Sequence, residues 1–142
     1  MILQLTVGSC VSGVNIVIHA VLTVATIRVA RAASSTSHPW RHLIGVMTAT
    51  VLVLMAAHML EVLVWSVAYN VIGVATGDAD LVYFAFVNYT TLGYGDITPV
   101  ARWRLMGPIT AMNGFLLIGW STAIIFEVLR KALSRHASFA SS

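Results

Sequence analysis

The sequence TLGYGD at residues 91–96 decides how the chain around it must fold. A backbone that lines an ion path needs carbonyl groups that all point to one axis, whereas an ordinary strand alternates them. Alternating left- and right-handed conformations align the carbonyls, and only glycine adopts the left-handed ones cheaply. Gly93 and Gly95 stand at alternate positions, and the Thr91 hydroxyl adds another oxygen. Because rings of such oxygens replace the hydration shell of a cation, the stretch predicts a selectivity filter.

The segment before this sequence, residues 79–90, is apolar but short. As a helix it covers roughly 18 Å at ~1.5 Å per residue, and a spanning helix needs about 20 residues. Asp78 or Asp80 could cap its start by accepting backbone N–H groups. We expect a re-entrant pore helix whose partly negative C-terminal end favours a cation. The non-helical backbone after it is tolerated at membrane depth only where it is buried in protein or lines a watery path.

Three longer apolar runs surround this segment. Residues 2–27 carry no formal charge, residues 43–77 carry only Glu61, and residues 105–129 carry only Glu127. Hydrophobic residues make up 58% of the chain and charged residues 9%, against about 25% charged in soluble domains. A chain this small cannot hide so much apolar surface in a core, so it must face lipid. The predicted fold class is an all-α membrane protein with three transmembrane helices, a re-entrant pore helix and a filter loop.

The runs divide the chain into four parts. Residues 1–31 form an extra N-terminal transmembrane helix, and residues 32–42 form a cytoplasmic loop. Residues 43–134 form an ion-channel pore domain with outer helix, pore helix, filter and inner helix. Residues 135–142 are a short cytoplasmic tail, which we expect to be too short to fold.

Basic residues are distributed unevenly around the three runs. Two lie between the pore helix and the third run, and six lie between the first two runs or after the third. The six are Arg28, Arg31, Arg41, Arg130, Lys131 and Arg135. The positive-inside rule then puts the N-terminus outside and the C-terminus in the cytoplasm of a cell whose membrane holds the chain. Trp65, Tyr69 and Trp103 fall near the outer interface, where we expect an aromatic belt.

The stretch LVYFAFVNYTTLGYGDITPV at residues 81–100 resembles the pore loop of potassium channels, whose signature is TVGYGD. Leu92 replaces the usual valine at a position that contributes a backbone carbonyl. The resemblance covers residues 43–133 and leaves the first span outside. It implies a potassium-selective channel built from four copies of the chain. The permeant K⁺ would bind at Thr91, Leu92, Gly93 and Tyr94, with Gly95 completing the filter, and no cofactor is implied.

Two further positions match the pore loop of the family. Asp96 stands at the outer mouth with an aromatic residue, Tyr83, thirteen positions earlier. In relatives an aromatic side chain there, commonly tryptophan, bonds to the aspartate and supports the filter. Val87 stands where some bacterial relatives place a glutamate behind the filter, so that carboxylate is absent here.

The third run carries residues that correspond to the inner helix of relatives. Gly114 and Gly119 fall at positions of inner-helix glycines, which implies a gating hinge, and Thr122 corresponds to a cavity-lining threonine. The alternative for the glycines is close helix packing, because small residues let helices approach. Glu127 lies three and four residues before two basic residues, which favours a surface ion pair over a role in the gate region.

His58 and Glu61 are ionisable residues deep in the second run. They lie ~22 Å and ~27 Å along it at ~1.5 Å per residue, which is the depth of the filter, and they share a helix face. One interpretation is a static hydrogen-bonded pair that fixes the second span to its neighbours. The other is a pH-sensing pair that braces the pore helix in place of Val87. Acidification between about pH 7.5 and 5.5 would then change open probability.

The remaining sequence argues against other classes of protein. The basic residues flank apolar runs and are not gathered on one face, so nucleic acid is not an expected partner. The five histidines are scattered along the sequence without a metal or nucleophile constellation, so neither an enzyme nor a small-molecule substrate is expected. The expected partners are membrane lipid and three further copies of the chain. The alternatives that remain are a weakly selective cation channel and a non-conducting accessory subunit.

Overall fold

The structure, a computed structural model, describes residues 1–32, 39–77 and 79–140, so the predicted cap Asp78 lies outside the described residues. The described part contains four α-helices, a short 3-10 helix at Ala101–Trp103 and no strand. The α-helices are α1 (Ile2–Ala32), α2 (Pro39–Ile72), α3 (Leu81–Tyr89) and α4 (Met106–Ala140). Three segments are long and apolar enough to cross a membrane, namely Ile2–Arg28, Trp40–Ile72 and Ala101–Ser134. The predicted all-α membrane fold is confirmed.

The ends of two helices differ from the predicted spans. Helix α2 begins at Pro39, inside the predicted loop, and proline is favoured at a first helical position because it has no N–H to satisfy. Helix α4 continues to Ala140, so the segment expected to be too short to fold extends the inner helix instead.

Helix α2 ends before the apolar run does, in a Schellman motif. Gly73 adopts a left-handed φ of 61°, and its N–H donates to the Asn70 carbonyl at 3.2 Å. The Val74 N–H donates to the Tyr69 carbonyl at 3.0 Å, which completes the motif. The Val74 carbonyl then accepts the N–H of Val100 at 2.8 Å. The position where the chain leaves α2 therefore lies next to the position where it returns towards α4.

Helix α3 lies where the short pore helix was predicted. Its N-cap is Asp80, whose Oδ1 accepts the N–H groups of Val82 and Tyr83, each at 3.0 Å. The helix has nine residues, which is roughly 14 Å of length and too little to cross a membrane. It packs against both α2 and α4.

The main hydrophobic core lies where α3 packs against α2 and the start of α4, and three aromatic residues of α2 and the 3-10 helix belong to it. Trp65 and Tyr69 are 0% exposed and Trp103 is 8% exposed, so these rings pack against protein, and their position near the outer interface stays a prediction. Trp65 Nε1 donates to Asn113 Oδ1 at 3.0 Å, and the Tyr69 hydroxyl lies 2.6 Å from Thr110 Oγ1. Partners on α4 thus satisfy the polar tips of Trp65 and Tyr69, as is usual for buried Trp and Tyr, whereas Trp103 Nε1 has no hydrogen-bond partner among the described residues.

Helix α1 packs its polar face against the rest of the chain. The buried polar residues of this face are Gln4, Asn15, His19, Thr23 and Thr26. The Gln4 Oε1 accepts the N–H of Leu105 at 3.0 Å, at the start of the inner helix. A Cβ added to Gly8 would lie 2.8 Å from Ile109, which shows how closely α1 and α4 approach. Polar side chains in a membrane face protein because lipid offers them no partner.

Candidate functional site

The backbone of residues 91–95 alternates in handedness. Gly93 and Gly95 have φ values of 57° and 79°, as their glycines predict, and Thr91 has a φ of 61°. Thr91 was predicted only to supply a hydroxyl, and a β-branched residue with positive φ is a genuine outlier. Such a conformation costs of the order of 1–3 kcal/mol and is typical of functional sites. Three left-handed residues at alternate positions bring successive carbonyls towards one side.

The C-terminal end of α3 holds the start of this backbone. The carbonyl of Val87 accepts the N–H groups of Leu92 at 3.0 Å and Gly93 at 3.3 Å. The N–H of Thr91 donates to the Asn88 carbonyl at 2.9 Å. Since the last carbonyls of a helix carry its partial negative charge, these contacts bring the negative end of α3 against the ion path that was predicted here.

The outer end of the stretch is held by a side-chain bond. The Tyr83 hydroxyl donates to Asp96 Oδ2 at 2.7 Å, which is the bond that the resemblance implies between these two residues. The bond lowers the pKa of the Asp96 carboxyl, and it raises the pKa of the Tyr83 hydroxyl. Both changes favour the pair of a neutral tyrosine and an ionised aspartate.

The filter stretch lies on the surface of a single chain. Residues 90–96 are all exposed, and the side chains of Leu92 and Tyr94 are 57% and 67% exposed. One chain therefore leaves this stretch uncovered along the side on which the ion path was predicted.

The two glycines of the inner helix have different surroundings. A Cβ added to Gly114 would lie 2.0 Å from the carbonyl oxygen of Tyr89, so Gly114 allows α4 to pack against the end of α3. A Cβ added to Gly119 meets nothing within 4 Å. The Thr122 hydroxyl donates to the Ile118 carbonyl of its own helix at 3.0 Å, and the residue is exposed. The packing alternative thus accounts for Gly114, and a hinge at either glycine stays a prediction.

Glu127 forms the ion pairs that were expected on the surface of α4. Its Oε2 lies 2.7 Å from Arg130 Nη2, and its Oε1 lies 2.7 Å from Lys131 Nζ. The prediction of a helix-surface ion pair is confirmed.

His58 and Glu61 belong to a larger buried cluster. The His58 Nδ1 lies 3.0 Å from Glu61 Oε2, and His19 Nδ1 lies 2.8 Å from Glu61 Oε1. Tyr89, the last residue of α3, donates its hydroxyl proton to Glu61 Oε2. The statement that the histidines form no constellation is therefore wrong, because α1 brings His19 to the same carboxylate as His58. The pH-sensing role of the pair stays a prediction.

The cluster continues onto α4. Ser121 Oγ lies 2.9 Å from His58 Nε2 and 3.4 Å from His19 Nε2. Above it, Asn15 Nδ2 donates to the backbone carbonyl of Glu61 at 3.2 Å and to Asn113 Oδ1 at 3.1 Å. The polar network thus joins α1, α2, α3 and α4 at one depth. Asn15 and His19 lie four residues apart on one face of α1, and this polar spacing within an apolar run is the signal that sequence reasoning missed.

The protons of this cluster can be counted from its contacts. Because Tyr89 donates its proton to Glu61, His58 Nδ1 must carry a proton to bond with either of them. Both Nε2 atoms face Ser121, whose hydroxyl has one proton to donate. If Glu61 is ionised and both histidines are neutral, one of these contacts lacks a proton. All of them are made only if the cluster holds one additional proton. Either the cluster holds that extra proton, or one of these contacts is not made, of which the contact between Ser121 Oγ and His19 Nε2 is the longest at 3.4 Å.

A short re-entrant helix followed by a carbonyl-aligned loop between two membrane-spanning helices defines a membrane pore domain. A protein-family model described as an ion channel matches residues 57–131, which is more than half of the 142-residue chain. The chain therefore belongs to this family of two-helix ion-channel domains, which is the potassium channel pore family. The match includes α3, the predicted filter stretch, about half of α2 and most of α4, and it leaves α1 outside. Neither the curated proteins nor the solved structures compared with the chain gave a match.

Proposed function

We propose that this ion channel is selective for potassium and that residues 91–95 are its selectivity filter. The observation that carries the proposal is the left-handed backbone at Thr91, Gly93 and Gly95 directly after the pore helix. Aligned carbonyls replace the hydration shell of a dehydrated cation, and the negative end of α3 adds a favourable potential. No covalent step is involved, because the ion moves down its own gradient.

The channel is proposed to be a homotetramer, because one chain carries one row of carbonyls and a coordinating ring needs several. The exposed surfaces of Leu92 and Tyr94 would be covered by neighbouring copies around the axis. In this assembly the exposed Thr122 faces the cavity below the filter, and Gly119 lies on the inner helix within reach of it. Native mass spectrometry of the purified protein in detergent should give four chains, and a stable monomer or dimer that conducts would contradict the assembly.

The experiment that tests selectivity is a reversal-potential measurement in bilayers that hold only the purified chain. With K⁺ on one side and an equal concentration of Na⁺ on the other, the current should reverse far from zero, at a potential whose sign opposes K⁺ flow towards the Na⁺ side. The variant Tyr94→Asp should move the reversal potential towards zero while conduction continues. Equal permeability of the wild-type protein would establish the weakly selective alternative. Lack of any flux from the purified chain would establish the accessory-subunit alternative.

A further inference from the structure

Two histidines and a glutamate meet in the interior of the molecule, beside Tyr89 at the end of α3. His19 of α1 and Glu61 of α2 are fully buried, and the side chain of His58 is 17% exposed. Each residue offers one ligand atom, and these atoms lie within 4.8 Å of one another. We propose that the three side chains form a binding site for one Zn²⁺ ion per chain. The inference does not depend on whether the channel selects potassium.

The set of donors is one that zinc takes when a fourth position is left for water or another oxygen, namely two imidazole nitrogens and a carboxylate. Ligands at 2.0–2.1 Å around a tetrahedral ion lie about 3.3 Å apart. The two Nδ1 atoms lie 2.8 and 3.0 Å from the oxygens of Glu61, so small side-chain shifts suffice. His58 and Glu61 share a face of α2 at a spacing of three residues, as in helical metal sites. His19 reaches them from α1.

The contacts around these ligands also fit an ion. A metal-bound histidine presents its second ring nitrogen as a donor to an outer partner, which fixes the ring. Both Nε2 atoms face Ser121 Oγ, at 2.9 Å for His58 and 3.4 Å for His19. A hydroxyl oxygen has two lone pairs and can accept from both rings. Tyr89 bonds to the Oε2 of Glu61 and orients the carboxylate.

An ion also resolves the proton count of the cluster. Without it, the contacts require one extra proton shared among the carboxylate, the two rings and Ser121. With Zn²⁺ on both Nδ1 atoms, each ring carries its remaining proton on Nε2 and donates it to Ser121, so no extra proton is needed. The positive charge lies beside an ionised Glu61 and near Tyr89 at the C-terminal end of α3, where a helix favours cations.

The consequence is that the ion would join the extra helix to the pore domain. His19 is the ligand from α1, while His58 and Glu61 lie within the residues matched by the ion channel family. Binding to the folded state alone stabilises that state by an amount that rises with the logarithm of the ligand concentration once the site is saturated. Zinc should therefore raise the melting temperature of the protein and hold α1 against α2.

The first test measures metal binding to the full chain, purified without a histidine tag and stripped with a chelator. After equilibration with Zn²⁺ at pH 8 and removal of free metal, elemental analysis should give one zinc per chain. His19→Gln and Glu61→Gln should each abolish this zinc and its effect on the melting temperature. His42→Gln, which removes a histidine outside the cluster, should bind as the wild type does. A wild-type chain that binds no zinc, or a His19→Gln variant that binds it equally well, would overturn the proposal.

A second test separates coordination from a purely structural role and does not need a destabilised variant. Cobalt(II) in the site should give the visible absorption of a four-coordinate ion. In His19→Cys the ligand becomes a thiolate, so the cobalt form should gain a sulfur-to-metal charge-transfer band. Ser121→Ala keeps the ligands and should weaken zinc binding about 10- to 100-fold at unchanged stoichiometry. A cobalt spectrum that is the same in the wild type and His19→Cys would show that His19 is not a ligand.

Discussion

Gly95 illustrates how much of the filter depends on backbone conformation alone. A Cβ added at this position meets nothing within 4 Å in the chain, so space does not forbid alanine there. The φ of 79° disfavours it, because a left-handed conformation costs an L-residue roughly 1–2 kcal/mol and Thr91 already carries such a cost in the same stretch. Gly95→Ala should therefore stop K⁺ flux into liposomes by turning a carbonyl away from the axis. Gly45→Ala, which also has free space but lies within α2, should conduct normally. Flux from Gly95→Ala at the wild-type rate would remove this glycine from the filter.

The bond between Tyr83 and Asp96 predicts a specific dependence on pH. The Asp96 carboxyl has a lowered pKa. The contribution of the bond to stability is therefore fully present above the ordinary aspartate pKa of about 4, and it is lost as pH falls through the pKa of the folded state. The tyrosine has a raised pKa, so the bond persists below its ordinary value of about 10 and is lost only at still higher pH. Between pH 5 and 9 the bond is present throughout. Tyr83→Phe, which removes it, should therefore shorten the duration of K⁺ flux by the same factor at every pH in this range.

Single-channel or stopped-flow recordings of the wild type and Tyr83→Phe at pH 5, 7 and 9 measure this factor. A difference between the two proteins that grows or vanishes within this window would mean that another group controls the bond. Asp96→Asn is the matched variant, because it keeps an acceptor of the same size without the charge.

At the scale of helices, we expect the same substitution, glycine to alanine, to have opposite effects on stability at Gly114 and Gly119. Gly114→Ala places a methyl group 2.0 Å from the Tyr89 carbonyl oxygen, and a backbone atom at the end of α3 cannot move aside cheaply. We expect a loss of at least about 3 kcal/mol in the free energy of unfolding, the upper end of the range for overpacking. Gly119→Ala meets open space in a helix and should gain about 0.5–1 kcal/mol. Denaturant titration of both variants measures the contrast, and equal effects would contradict the packing of α4 on α3.

The helices themselves could be predicted from the sequence, because length and apolarity determine what crosses a membrane. The cap at Asp80 and the left-handed Gly93 and Gly95 were also predictable, since each follows from local backbone chemistry. The contact between His19 and Glu61 could not be predicted, because contacts between spans depend on how each helix is rotated about its own axis. An apolar run reveals that rotation only through its polar residues, which in α1 include Asn15 and His19 at a spacing of four.

At the scale of the whole molecule, the distribution of basic residues predicts its orientation. Six basic residues flank the ends that α1, α2 and α4 share on one side, and two lie on the filter side. A tag before Met1 should be labelled by an impermeant reagent from outside intact cells, and one after Ser142 only after the cells are opened. The opposite pattern of labelling would place the filter mouth, with Asp96, in the cytoplasm.

The hydrogen bond from the Val100 N–H to the Val74 carbonyl closes the pore loop at its base, as in a segment that can be exchanged between proteins. Its entry and exit lie side by side, so the segment between the two valines has its two ends fixed to each other. Helix α3 lies within this segment and packs against α2 and α4, so a change in α3 itself is transmitted to the long helices. Pore loops from other chains of this family could therefore be exchanged at these two valines with the three spans kept, provided that the incoming loop retains Tyr89, whose hydroxyl donates to Glu61.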